Sequence, residues 1–377
     1  MQLLILGNGF DLQCNLPSSF GKYMSNSLKS IIIEESFHPF YSRTNLLHSF
    51  LIKNRSILKS LTFIELLIII KFWKKEVLWS DFEKLLYELL YQEKSTNIGY
   101  RPSLWIKSFD YLNENQQQIF NSRLENSDIN NDFQLIAFLY FYWCNFGENI
   151  PSKITQTKDE WHDFLKKDLS KFESRFTDYL KLNHKDNVEY QNSSSTLLSK
   201  LTNSYGQMGI YKIMNFNYTM LPEPYQGNTE NVHGLYSNKD SIIGIDGSSI
   251  PHQLVGYKFT KTFRRVDLLT RYNRIQKSDL LNYDYSEIAF YGHSLNEQDY
   301  SYFQSLFDGL NIYDKKVKLK FYYSFYEGKT NEEIYNDQIQ SIIKLLETYG
   351  NTFDNKYKGK NLLNKIIIEQ RLHIINI

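Results

Sequence analysis

The sequence predicts an open parallel α/β sheet of the nucleotide-binding type, split after its first strand by a large all-helical insertion. Three observations predict it. An apolar run at the front of the chain ends in Gly-x-Gly, strand-like segments otherwise gather only beyond residue 205, and polar side chains recur where those segments end. One strand cannot make a sheet alone, so the front strand must pair with those at the back. Residues 1–20 and 205–377 then form the core, and residues 21–204 form an inserted helical subdomain.

Leu3-Leu4-Ile5-Leu6 reads as a buried parallel strand that turns at Gly7-Asn8-Gly9-Phe10 into a loop and helix. Such glycines let the backbone approach a diphosphate while the next helix points N–H groups at the anion. Asp11 follows, placed to meet a ribose hydroxyl. Ser18 or Ser19 can cap a helix carrying Phe20, Tyr23, Met24 and Leu28, and Leu61 to Ile70, interrupted by Glu65, reads as a buried helix too short to cross a bilayer. Ser80-Asp81-Phe82-Glu83 fits a capping box before the stripe Phe82, Leu85, Leu86, Leu89, Leu90. Trp161, Phe164, Leu165, Leu169, Phe172, Phe176, Tyr179 and Leu180 mark a second helical stripe. His184 to Thr196, polar and rich in Asn and Ser, reads as the least ordered piece.

Strand character then returns. Ile210 to Phe216 stops at Asn217-Tyr218-Thr219, a short strand ends in Asn231-Val232-His233-Gly234, Ser241 to Ile245 is a further candidate, and Glu287 to Tyr291 ends in Gly292-His293-Ser294-Leu295. Val317 to Phe325 reads as the last strand, followed by a helix from the Thr330-x-x-Glu333 box to about Gly350. The segment through Ile366 to Ile368 fits either a helix or an edge strand. Ligands of such sheets sit outside the carboxyl ends of the strands, where Asn8, Asp11, Asn217, His233, His293 and Ser294 cluster.

Composition narrows the function. With 43 Lys+Arg against 42 Asp+Glu, the net charge of +1 gives no support to a nucleic-acid or anionic-membrane partner. The front of the chain lacks a basic region and a small-residue cleavage site, so a cytoplasmic address is expected. Two cysteines, Cys14 and Cys144, cannot build a four-cysteine zinc site, the eight histidines lack metal-ligand spacing, and no acidic cluster for Mg2+ stands out.

Gly7-Asn8-Gly9-Phe10-Asp11 with Leu16-Pro17-Ser18-Ser19-Phe20, Trp79-Ser80-Asp81-Phe82-Glu83, Asn215-Phe216-Asn217-Tyr218-Thr219, Val232-His233-Gly234 and Gly292-His293-Ser294-Leu295 with Asp299 together resemble the AbiH family of bacteriophage abortive-infection proteins. That family is similar to the wider sirtuin-like group, which implies a Rossmann-like core. Carried over by position, the resemblance puts Gly7, Asn8, Gly9, Phe10 and Asp11 at the diphosphate and nicotinamide ribose of NAD+. It makes Asn217 and His233 the catalytic pair and sets Gly292 and Ser294 beside the adenosine ribose. Asn15 stands where the family usually has Gly, Phe10-Asp11 replaces small residues, and Thr219 replaces the Asp of an Asn-Tyr-Asp motif.

Without a zinc ribbon, lysine deacylation is not expected. What the resemblance implies is hydrolysis of the nicotinamide–ribose bond of NAD+, with no metal or further cofactor required and with a phage-derived trigger. His233 would be the general base, Asn217 would hold water or ribose, and Asp11 would stabilise the developing positive charge. Each residue has a plainer alternative: a backbone-satisfied histidine at 233, a turn at Asn217, helix caps at Ser294 and Glu83, and a surface position for Asp299. The competing reading of the whole is a nucleotide sensor that consumes nothing and acts on another macromolecule through the insertion. A homo-oligomer is compatible with either.

Overall fold

A computed structural model describes residues 1–28, 50–51, 53–71, 79–91, 139, 158–202, 210–238, 241–247, 250, 255–272, 278–326 and 328–377. In chain order the elements used below are β1 (Gln2–Leu6), α1 (Asn8–Gln13), α2 (Phe20–Leu28), α3 (Phe63–Lys71), α4 (Trp79–Tyr91), α5 (Lys158–His184), α6 (Val188–Leu201), β2 (Tyr211–Asn215) and β3 (Thr229–Asn231). There follow α7 (Lys261–Tyr272), β4 (Glu287–Tyr291), α8 (Tyr300–Gly309), β5 (Lys318–Tyr323), α9 (Asn331–Asn351), α10 (Lys356–Ile368) and β6 (Leu372–Asn376). Two compact units result. One comprises Met1–Ser19, Thr177–Ile250 and Thr260–Ile377, the other Phe20–Phe176 and Pro251–Phe259.

The first unit is built on a six-stranded, all-parallel sheet in the order β3-β2-β1-β4-β5-β6. Side chains alternate across β1 as a pleated strand requires. Leu3 and Ile5 join a core with Phe290, Phe303, Phe307, Phe321 and Leu346, under α8 and α9. Leu4 and Leu6 face the other way, against Phe10, Tyr190, Leu198 and Leu201 of α1 and α6. Both faces are therefore covered, which is why β1 is an unbroken apolar run. The helix after β1 packs on one face and the helix after β4 on the other, so the chain changes direction between these two strands.

Register sets the carboxyl ends level. Leu6 stands beside Asn215 and Tyr291, and Asn215 beside Asn231, so Gly7, Phe216, Val232 and Gly292 leave the sheet together. Asn15 takes φ +61, a left-handed geometry that asparagine tolerates better than most residues.

The second unit packs aromatic rings. Phe20 lies 5.1 Å from Phe82, 5.1 Å from Phe172 and 5.2 Å from Phe176, centroid to centroid. Glu65, fully buried in α3, meets Tyr23 and the Arg175 guanidinium, 2.9 Å away. Asp168 of α5 accepts the N–H groups of Phe63 and Ile64 at the start of α3, at 3.0 and 2.8 Å, and burial pushes its carboxyl up to about 7. No helix among the described residues is long and apolar enough to cross a membrane.

Several local expectations need correction. Residues 188–201 are helix, not a loose segment. Asn187 accepts the Tyr190 N–H as cap, while Tyr190, Ser194, Leu198 and Leu201 face inward at helical spacing. This stretch lies in the unit that holds the sheet. Ser80 is inside α4, whose range opens at Trp79, rather than ahead of it. Ser241 to Ile245 contributes only an isolated bridge from Ile245 to Thr260. β5 is not the last strand, because the open C-terminal segment supplies both α10 and the edge strand β6. The Thr330–Glu333 capping box is present. Cys144 lies outside the described residues.

Candidate functional site

At the carboxyl end of the sheet, three side chains from different segments meet on the carboxylate of a fourth. His233 follows β3, His293 follows β4, Lys261 opens α7, and Asp299 stands immediately before α8. Asp299 Oδ1 lies 2.9 Å from Lys261 Nζ and 3.3 Å from His233 Nε2, and Oδ2 lies 3.5 Å from His293 Nε2. Asp299 holds the N-cap position of α8 yet makes no capping bond, so its side chain is committed to this cluster. The Phe216 ring fills the space between the imidazoles, 5.4 Å from His233 and 4.6 Å from His293, edge to face with both. Tyr302 closes a further side of His233 at 5.6 Å.

Electrostatics follow from this packing. Burial opposes charge on Asp299, but the Lys261 ammonium and the bonds from both histidines hold its carboxyl well below the usual range. Burial lowers the His233 pKa, with Asp299 acting against that shift and Lys261 for it, so the imidazole is neutral at neutral pH. Helix α7 secures the same region from outside. Arg265 donates to the Val232 carbonyl, next to His233, and Arg264 to the Ile243 carbonyl.

The other predicted residues lie on the next strand ends, and most are spent on the fold. Gly9 N–H donates to the Gly292 carbonyl at 2.8 Å and Gly7 N–H to the Tyr291 carbonyl at 3.0 Å. The two turns therefore bond each other, where the sequence suggested that the first would offer these groups to an anion. A Cβ on Gly292, whose φ is +68, would stand 2.3 Å from the Phe10 nitrogen, and one on Gly7 2.5 Å from His293 Cα. Asn8 Oδ1 accepts from Ser18 at 2.6 Å. Phe10 is a core side chain, edge-on to Tyr291 and fully buried. Asn217 is buried and its amide donates to the Gly7 carbonyl at 3.1 Å, fastening the end of β2 to the turn after β1. Ser294 is exposed, and the turn at Glu297–Asp299 starts from Asn296, so Ser294 caps nothing there.

Asp11 is fully buried. Tyr190 and Thr219 donate to its two oxygens, each at 2.7 Å. The two departures at 11 and 219 thus meet in one hydrogen bond: the carboxylate sits at the first position and a hydroxyl at the second. Burial raises the Asp11 pKa from 3.8 to about 6, against the pull of both bonds. Between those values the folded chain keeps a proton that the unfolded chain has released, so stability falls as pH rises through that window and levels off above it. Asp11→Asn retains a partner for each hydroxyl and removes this penalty. Compared by denaturant midpoint, wild type should lose about 3 kcal/mol relative to the Asn variant between pH 3 and 7.

Sequence reasoning missed Lys261 altogether, and although it quoted Asp299 and His293 within the motif it assigned neither a role. The available signal was an Asp ahead of a helix with no better use as a cap. A family model described as bacteriophage abortive infection AbiH matches residues 3–323. No curated protein and no solved structure matches the chain.

Proposed function

The chain belongs to the bacteriophage abortive infection AbiH family, and from that premise we propose that it is a phage-defence effector that hydrolyses the nicotinamide–ribose bond of NAD+ in the cytoplasm. The observation that carries this reading is a buried His233 braced by Asp299 at the carboxyl ends of parallel strands. The strand order, with its reversal between β1 and β4, supports the Rossmann-like reading and a nucleotide as ligand. In the reaction the C1′–N bond breaks, its electron pair leaves with neutral nicotinamide, water oxygen attacks C1′, and His233 takes the water proton. Asn217 and Asp11 then serve by holding strand ends rather than by touching substrate. A phage-derived trigger would release the activity.

The second reading, a nucleotide sensor that consumes nothing, is favoured by the bonded glycine turns, whose Gly9 N–H already has an acceptor. A metabolite time course in induced cells separates the two. Wild type should lower NAD+ with nicotinamide and ADP-ribose accumulating. His233→Ala should slow this by roughly 100-fold or more and abolish protection. Constant NAD+ through a protective response would overturn hydrolysis in favour of the sensor.

A further inference from the structure

We propose that Asp299 is a positioning residue that fixes His233 as its Nε2–H tautomer, leaving Nδ1 as the atom that accepts the proton. This rests on the catalytic reading of His233 above for its purpose, but not for its geometry.

The Leu295 backbone N–H, which can only donate, points at His293 Nδ1 from 3.0 Å. That nitrogen therefore carries no proton, and the ring's single proton sits on Nε2, facing Asp299 Oδ2 at 3.5 Å. Asp299 is thereby an acceptor on one oxygen. On the other, the Lys261 ammonium donates at 2.9 Å, so Oδ1 is an acceptor as well and the group is a carboxylate. Lys261 is itself buried and reaches the Gln298 carbonyl at 3.4 Å, which keeps its charge aimed at this corner. A carboxylate has no proton to give, so the contact at 3.3 Å from His233 Nε2 is favourable only when that nitrogen bears the hydrogen. A neutral ring has one N–H, and Nδ1 is left with its lone pair.

The groups around the pair agree. Phe216, Tyr218 and Tyr302 present rings to His233, and the cations Lys261 and Arg265 are bonded to Asp299 and to the Val232 carbonyl. A carboxylate that orients an imidazole from behind stabilises the imidazolium formed on proton uptake at the opposite nitrogen. Lys261 and His293 act one step further back, by holding the carboxylate.

The test is a long-range proton–nitrogen NMR correlation on the full chain with 15N-labelled histidine, above the ordinary imidazole pKa, with His233 assigned from His233→Gln. In wild type, His233 and His293 should each show a protonated Nε2 and a bare Nδ1. In Asp299→Asn one acceptor oxygen becomes an N–H donor, so at least one of the two rings should lose that pattern. A bare Nε2 on His233 in wild type, or an Asn variant with both rings unchanged, would overturn the proposal. The expected tautomer in a protein that leaves NAD+ intact would defeat the hydrolase reading and leave the positioning role standing.

Discussion

Gly292→Ala is expected to destabilise the protein by about 2–5 kcal/mol, the sum of two separate penalties. Its φ of +68 costs an L residue about 1–2 kcal/mol. The new methyl would also stand 2.3 Å from the Phe10 nitrogen and 2.7 Å from the Gly9 carbonyl carbon, both backbone atoms that no rotamer change can move aside. Relief requires the turn after β1 to separate from the turn after β4, breaking the Gly9-to-Gly292 hydrogen bond. Denaturant titration followed by circular dichroism should show a lower midpoint. A variant with the wild-type midpoint would mean that the two turns are not in contact.

Gly359→Ala is the second large effect, far from the candidate site. Helices α9 and α10 cross where Gly350 and Gly359 lie backbone to backbone, and an added Cβ at 359 would fall 2.0 Å from the Gly350 carbonyl oxygen. The reciprocal change at 350 would place a methyl 2.4 Å from the Gly359 oxygen. Alanine gains about 1 kcal/mol in helix propensity, but pushing the helices apart strips packing from Ile342, Leu346, Leu362 and Ile366. A net loss of about 2–4 kcal/mol is expected from either substitution, read as a fall in melting temperature. Because the two clashes share one crossing, the double variant should cost less than the sum of the singles.

The strands β1 and β4 were legible because each carries a short apolar run stopped by a turn residue, and burial on both faces forces that pattern. β6 was not, since an edge strand is only half covered and its Leu372, Ile374 and Ile375 follow directly on the apolar end of a helix. The helix at Val188–Leu201 hid for a different reason. Its inward positions include Ser194, which satisfies its hydroxyl on the Tyr190 carbonyl, so the stripe carries too few apolar residues to stand out. At the site, the motifs named His233, Asn217 and Asp299 but not the contacts between them. Lys261 reaches Asp299 across 38 positions of chain, and a contact of that kind leaves no local pattern.

The pairing of β1 also sets a timetable for synthesis. Its neighbours are β2 and β4, which begin at residues 211 and 287, so the ribosome must deliver some 280 further residues before Leu3 to Leu6 can be enclosed on both edges. At about 5–20 residues per second that is a wait of roughly 15–60 s. Until β4 emerges, a nascent chain leaves at least one edge of this β-forming tetrapeptide open to whatever chaperones attend the exit tunnel.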